Sequence, residues 1–476
     1  MPYIMQDNNS RDERNMTELG QWRIRDLANA IRERKISAVE ATRHYLDRIE
    51  KVNPNLNAVI HLEPDTALKH AERADLALKG GETPGRLFGI PMTIKDSLDT
   101  YDMVTTWGTS GRAAVRPGRD ATCVGRLRNE GAILMGKTNT PEFTLDFRTT
   151  NNLFGRTSNP FDLTRTPGGS SGGAAAAIAA GATPFDVGTD TGGSIRLPSH
   201  FCGIAGLKPT TGRIPCTGNA LPSTGLLAPL TQPGPMARCV DDLAYLLDIM
   251  HGPDNQDPHA VPATLRDYGL VDIAHLKIGY HSDNGISQPD ECIRDAVNHA
   301  VDALQAKGIS TKETRPTGIE MAGFIYSRLF SADHGDLIET LLEDCRTTTP
   351  SPGVARLLTH RPPPLGAAEF AQTITLWHNY QASMLSYFDD FDVLISPVNA
   401  HPAITHEEPE DFAAYSYTTA YNLTGWPAVV IRAGTGPLGL PVGIQVIASP
   451  FREDLCLAVA AWLEAELGQF PGPDCE

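Results

Sequence analysis

Between Thr166 and Ala180 the chain reads TPGGSSGGAAAAIAA: four glycines flank two serines, and an alanine-rich run follows directly. A flexible Gly/Ser linker joins folded pieces, whereas Ala174–Ala180 is strong helix-forming material continuous with the glycines. The stretch therefore reads as a turn entering a helix that stops at Gly181. Ser170 and Ser171 stand at that entrance, where unpaired backbone N–H groups and the helix dipole favour an anion or a polarised oxygen. Simple capping of the helix by either serine is the plainer alternative.

A second stretch, VGTDTGGSIRLP (Val187–Pro198), repeats the theme. Gly192, Gly193 and Ser194 follow a predicted strand, and consecutive amides in such a turn can form an anion-receiving nest. An ordinary Gly-Ser turn is the alternative there. Upstream, Lys95 is embedded in GIPMTIKD, which reads as a buried strand around Ile90 to Asp96. A lysine in an apolar strand is costly unless paired or neutral. Burial pushes its pKa down from about 10.4, which can convert a cation into a general base. The competing expectation is a structural pair with Asp96 or Asp99.

Around these segments strand and helix signals alternate. Ser37-Ala38-Val39-Glu40 reads as a capping box, starting a helix with Val39, Tyr45, Leu46 and Ile49 on one face and Pro54 beyond its end. Strands are expected at Asn57–Leu62, Ala132–Met135, Thr183–Gly188, Leu276–Tyr280, Phe391–Ser396, Ala428–Arg432 and Gly443–Ala448. Helices are expected after Asp65, from an Asp120 cap through Leu127, and at Val240–Met250, Cys292–Lys307 and Asp454–Leu467. This alternation indicates an α/β protein with a largely parallel or mixed core sheet. Residues 1–20 are expected to be disordered, and the proline-rich stretch Thr347–Gly366 an exposed loop.

Several function classes drop out. The formal net charge of −17 argues against a nucleic-acid-binding face and against docking on an anionic membrane. The eight cysteines are scattered singly, without C-x-x-C spacing, so a zinc or redox site has little support. The start lacks the apolar core of a signal peptide, and no apolar run approaches about 18 residues, so a cytoplasmic protein is expected. GAILMGKT (Gly131–Thr138) matches the phosphate-loop pattern, but Ala-Ile-Leu-Met favours a strand where that loop needs small or polar residues. Gly168–Gly172 satisfies G-x-S-x-G, yet the polar, proline-broken NPFDLTRTP precedes it where a nucleophile elbow needs a strand.

Taken together, these segments resemble the amidase signature family. GGSSGG, GTDTGGSIRLP and FCGIAGLKPTTGR (Phe201–Arg213) fall in the family's order and spacing, after GIPMTIKD, GAILMGKTNTPEF and NPFDLTRTPGGSSGG. The likeness is close from about Ser37 to Leu247 and looser in the tail YNLTGWPAVVIRAG…GLPVGIQVIAS. It implies the amidase signature fold, a large twisted mixed β-sheet covered by helices on both faces, as one catalytic domain over residues 21–476. It also implies a Ser–cis-Ser–Lys triad with Ser194 as nucleophile, Ser170 as bridging serine and Lys95 as general base. The family's oxyanion donors map to the backbone amides of Thr191, Gly192, Gly193 and Ser194. Thr144 falls where members line the substrate pocket, and Ser171, Asp190 and Arg196 match positions that support the loops.

The reaction so implied is hydrolysis of a small-molecule amide through an acyl-enzyme on Ser194, with no cofactor and no metal. A relative with the same triad, the glutaminase component of a tRNA-dependent amidotransferase, releases ammonia from glutamine for partner subunits. Where that component typically has DQIGP, this chain has Thr231-Gln232-Pro233-Gly234-Pro235, and PGPMAR looks more like the free-standing amidases. An inactive binding protein is the third reading, disfavoured by retention of Lys95, Ser170 and Ser194 together. Acyl specificity is expected from Thr144–Phe147 and from about Gly318 to Tyr387, where Phe324, Tyr326, Phe330, Trp377, His378 and Tyr380 either line a pocket or pack helices. A homodimer is an expectation resting only on the frequency of symmetric assembly.

Overall fold

The capping box at Ser37 forms: Ser37 Oγ accepts the Glu40 N–H at 3.0 Å, and the Glu40 carboxylate accepts the Ser37 N–H at 2.7 Å. The helix it opens runs over Ala38–Leu56 and buries Tyr45, Leu46 and Ile49. Pro54 lies inside its last turn rather than beyond it, where the missing N–H removes a single bond, and Asn57 ends the helix with a positive φ of 50°. This computed structural model describes residues 19–82 and 85–475. The expected disorder of residues 1–20 therefore falls almost wholly outside the described residues; at its end Leu19 is buried, its carbonyl accepting from the Tyr45 hydroxyl at 3.2 Å.

Among the described residues, thirteen strands form three sheets. The small sheet has the order β1-β3-β2, from β1 (Val59–Leu62), β2 (Pro91–Lys95) and β3 (Ile133–Thr138). A two-strand ribbon pairs β4 (Thr150–Asn151) with β5 (Gly155–Arg156). The large sheet is built from β6 (Phe185–Asp190), β7 (Ala205–Lys208), β8 (Gln232–Ala237), β9 (Lys277–Tyr280), β10 (Ser310–Glu313), β11 (Val393–Pro397), β12 (Ala428–Thr435) and β13 (Pro441–Ala448). Its order is β10-β9-β11-β13-β12-β7-β8-β6, parallel across β10, β9 and β11 and antiparallel from there to β6. The expected mixed sheet is present, with antiparallel pairing predominant.

Some local expectations are overturned. The Thr122–Asn129 helix has no side-chain cap; Asp120 instead accepts the Tyr101 N–H at 2.9 Å and pairs with Arg128 at 3.2 Å. The stretch Thr347–Gly366 contains a helix, Pro352–Thr359, opened by a proline at the first helical position, where the ring's fixed φ suits a helix start. β7 and β8 were not foreseen. Pro233 and Pro235 argue against a strand in sequence. In the fold β8 pairs with β7 only near Met236 and Ala237, leaving the proline-bearing half unpaired on that side.

All but the first two residues of GAILMGKT form strand β3, and no phosphate loop: Lys137 is buried, with Nζ donating to the Leu98 carbonyl and to the Thr105 and Thr100 hydroxyls at 3.3 and 3.4 Å. The two sheets meet edge to edge at β2 and β6, the outermost strands of each. That junction positions the site. Among the described residues no helix is long and apolar enough to cross a membrane.

Candidate active site

β2 delivers Lys95 fully buried into the junction. Its Nζ donates to Ser170 Oγ at 2.7 Å, to Ser171 Oγ at 2.9 Å and to Thr189 Oγ1 at 2.9 Å. Neither expected structural partner takes it. Asp96 accepts from Thr106, and Asp99 from Trp107 Nε1 at 3.1 Å and Arg112 at 3.4 Å. Burial pushes the Lys95 amine well below the ordinary lysine range, against the opposing pull of Asp190 and Asp186.

The first serine loop enters helix α1 (Gly172–Ala179), and the Gly169–Ser170 peptide is cis. Gly169 is held to glycine by close approach: an added Cβ would stand 2.6 Å from the Phe147 carbonyl carbon. Ser171 occupies the cap position, but its side chain does not cap the helix. Thr149 Oγ1 accepts the Gly172 N–H at 3.1 Å instead, leaving both serine hydroxyls on Lys95. Capping does not account for them.

The second loop leaves β6 and enters helix α2 (Arg196–Cys202). Asp190 and Arg196 form a fully buried ion pair at 2.9 Å. The Asp190 carboxylate also accepts the N–H groups of Gly193 at 2.9 Å and Ile195 at 3.1 Å, and the Asn422 amide at 2.8 Å. Burial works to raise its pKa, yet the Arg196 guanidinium holds it well below the usual carboxylate range. The Ser171 N–H donates to the Ser194 carbonyl at 3.1 Å, tying the two loops together.

Gly193 differs from the sequence expectation of four free donors. Its N–H, in a residue with φ 132°, is directed to Asp190. The amides of Thr191, Gly192 and Ser194 have no hydrogen-bond partner among the described residues.

The outer side of this loop is braced from far along the chain. Thr418 Oγ1 donates to the Gly192 carbonyl at 2.7 Å, and Tyr326 Oη, from helix α3 (Ala322–Phe330), donates to the Thr191 carbonyl at 3.3 Å. A Cβ on Gly192 would lie 2.7 Å from Tyr326 Oη and 3.3 Å from Phe147 Cζ. Phe147 stacks on Tyr415 at 3.8 Å and Tyr326 on Phe330 at 6.0 Å, so aromatic rings flank the glycine from two directions. Trp377 and Tyr380 serve packing: their polar atoms donate to the Leu423 and Ala420 carbonyls at 2.8 and 3.4 Å. Phe324 is 52% exposed. Thr144, buried with φ 64°, lies in the turn that leads to Phe147 and bonds none of the Lys95, Ser170 and Ser194 side chains.

Asp186 is a further member of the site, not among the residues singled out from the sequence. Fully buried on β6, it accepts the Lys95 N–H at 2.8 Å and the hydroxyls of Thr93 and Thr138 at 2.7 and 3.0 Å. The signal was available: a carboxylate in FDVGTD stands out by the same argument that singles out Lys95 in its strand. Tyr326 and Thr418 carried no comparable signal. A cavity of about 1440 Å³ lies elsewhere, its lining including Arg48, Ala180, Cys202 and Phe470, beside the C-terminal ends of α1 and α2. Among the described residues no group of three or more His, Cys, Asp or Glu side chains could hold a metal.

A junction of two sheets carrying a buried lysine on two serine loops defines an α/β protein of the amidase signature architecture. The chain belongs to that family: the family model described as Amidase matches residues 40–457. The A subunit of the glutamyl-tRNA(Gln) amidotransferase of Chloroflexus aurantiacus is 36% identical over 93% of this chain and 96% of its own. Among solved structures, 6-aminohexanoate cyclic dimer hydrolase bound to substrate superposes with a TM-score of 0.85 at 27% identity, covering 96% and 99% of the two chains. The corresponding glutamyl-tRNA(Gln) amidotransferase chain of Thermotoga maritima superposes with a TM-score of 0.77 at 25% identity, covering 96% and 98%.

Proposed function

We propose that this chain hydrolyses the C–N bond of a small-molecule carboxylic amide through an acyl-enzyme on Ser194, releasing ammonia or an amine. The observation that carries this reading is the 2.7 Å contact between Lys95 Nζ and Ser170 Oγ, with Ser194 tied to the same loop through the Ser171 N–H. A serine hydroxyl needs a base to attack at neutral pH, and a lysine depressed by burial is one. Neutral Lys95 takes the Ser170 proton as Ser170 takes that of Ser194, and Ser194 Oγ bonds to the amide carbon. The oxyanion is received by the free amides of Thr191, Gly192 and Ser194, with Gly193 holding the loop through Asp190. The proton returns through Ser170 to the nitrogen as the C–N bond breaks. Water then attacks the acyl ester, passing a proton through Ser170 to Lys95; the bond from the acyl carbon to Ser194 Oγ breaks, Oγ takes that proton back by the same path, and the carboxylic acid leaves. Thr144 lines the substrate side in this reading.

The names of the curated relatives favour a second reading, a glutaminase working for partner subunits. The higher TM-score to the cyclic dimer hydrolase than to the Thermotoga chain, and the aromatic rings beside Gly192, support the free-standing hydrolase. One experiment separates them. The isolated chain is labelled with a fluorophosphonate, the adduct is mapped, and release of ammonia or amine is followed with glutamine and with a panel of alkyl and aryl amides. An adduct on Ser194 with turnover of the panel is expected. Turnover of glutamine alone would establish the glutaminase, and an adduct on Ser170 would overturn the assignment of the nucleophile.

A further inference from the structure

On β6, positions 186, 188 and 190 share one face of the strand. Each serves a different part of the site. Asp190 holds the loop that bears Ser194, and Gly188 leaves room for Met236, Ile195 and Ser171, whose side-chain atoms a Cβ there would meet at 2.7, 2.8 and 2.9 Å. Asp186 reaches across the junction of the two sheets. The Lys95 N–H and Thr93 hydroxyl on β2, and the Thr138 hydroxyl on β3, all donate to it from the small sheet. Lys95 belongs to the small sheet, whereas Ser194 follows an edge strand of the large one. The carboxylate thus joins the strand that carries the lysine to the strand that leads to the nucleophile.

We propose that Asp186 is a positioning residue that fixes Lys95 against the serine pair and, as a buried anion, raises the proton affinity of its amine. This inference rests on the reading of Lys95 as the base. A merely structural role would need only hydrogen-bond acceptance, which a neutral side chain supplies; the charge matters only if a titrating neighbour responds to it. The charged groups around Lys95 are Asp186 and Asp190 from β6, Arg196 from α2, which neutralises Asp190, Lys137 from β3, and Asp96 at the end of β2. Lys137 has Asp96 and Asp99 as its leading anionic neighbours. Burial raises the Asp186 carboxyl to about 6, so its charge is present at neutral pH and above.

The test is the rate of fluorophosphonate labelling of Ser194 against pH, in the full chain and in Asp186→Asn. The amide side chain retains an acceptor for the Lys95 N–H and removes the charge. With the anion gone, Lys95 holds its proton less tightly, so the rising limb of the labelling profile should move to lower pH by about one unit, the low end of the effect of an adjacent buried charge. An unmoved midpoint in a folded Asp186→Asn protein overturns the proposal, even if the melting temperature falls. Should that variant not fold, Thr93→Val removes one hydrogen bond to the carboxylate, weakening its ionisation, and should move the limb in the same direction. An unmoved limb there is equally adverse. Absence of labelling in the unmodified chain would instead strike at the reading of Ser194 and Lys95, which keeps the two failures apart.

Discussion

The N–H of Ser171 donates to the carbonyl of Ser194 at 3.1 Å, so the loop that bears the lysine-bonded serine pair and the loop that bears the second serine are one hydrogen-bonded unit. Neither loop can shift independently without breaking that bond. Ser194→Ala leaves this backbone contact in place while removing the hydroxyl. We expect it to lower kcat by about 10⁴-fold or more with the melting temperature nearly unchanged, as removal of a serine nucleophile does. Near-normal turnover in the folded variant would show that Ser194 is not the nucleophile.

Lys95 offers a sharper discrimination between charge and basicity. Its amine is held well below the ordinary lysine range by burial, which favours the neutral form. With Lys95 as the proposed base the active form is the deprotonated one, so kcat/KM should rise with pH through an apparent pKa below about 10.4 and then level off. Lys95→Arg keeps a cation that donates hydrogen bonds but does not deprotonate. It should be as inactive as Lys95→Ala across the whole neutral and mildly alkaline range; an active arginine variant would remove the lysine from the role of base.

Gly192 has a steric requirement that can be relieved from outside. A Cβ there would meet Tyr326 Oη at 2.7 Å. Gly192→Ala should therefore cut kcat by about 10-fold or more, because an oxyanion donor displaced from its position loses much of its effect, and whole donors are worth about 10²–10³-fold. Adding Tyr326→Phe removes the hydroxyl and should restore part of the loss. A double variant no better than the single one would mean that the ring carbons left in place, Phe147 Cζ and Tyr326 Cζ, both at 3.3 Å, set the limit instead.

The Asp190–Arg196 pair is a stability element with a definite pH sign. Its carboxyl is depressed in the folded state, so its contribution is present above the unfolded value near about 3.9 and is lost only as pH falls through the lower folded value. Arg196→Met leaves a buried anion unpaired and should destabilise the protein by about 3–5 kcal/mol at neutral pH. Acid unfolding should also begin at higher pH, since Asp190 would lose the largest influence opposing burial, keeping only Lys208 and its hydrogen bonds from Gly193, Ile195 and Asn422. Denaturant titration at neutral and at mildly acidic pH reads both effects, and equal stability to the parent at both would refute them.

Much of the site was legible because its residues break local rules. A lysine in an apolar strand, a glycine–serine turn heading a helix and another following a strand are costly or conspicuous within a few residues, so Lys95, the pair Ser170 and Ser171, and Ser194 stood out locally, and the family resemblance chose Ser170 over Ser171. The strands Val393–Pro397 and Pro441–Ala448 and the helix Val240–Met250 were near their expected bounds for the same local reason: each is a continuous run of one periodicity. β8 was hidden because its prolines argue against a strand, and the argument fails only where a neighbouring strand is short. The helix at Pro352–Thr359 was hidden behind a composition that reads as loop.

The sequence by itself determined the chemistry that is present: which hydroxyls, which amine and which bare backbone stretches occur, and in what order. Only the tertiary structure decided their assignment. That Ser171 serves Lys95 and not its own helix, that Gly193 donates to Asp190 and not to an oxyanion, and that Asp186 spans two sheets are outcomes of how the packed segments meet. Asp186 and Lys95, for example, are 91 residues apart in sequence and 2.8 Å apart in space. Local propensity is set by neighbours along the chain, whereas a hydrogen-bond partner for a buried group is set by whatever the packing brings within about 3 Å, and no one-dimensional pattern encodes that distance.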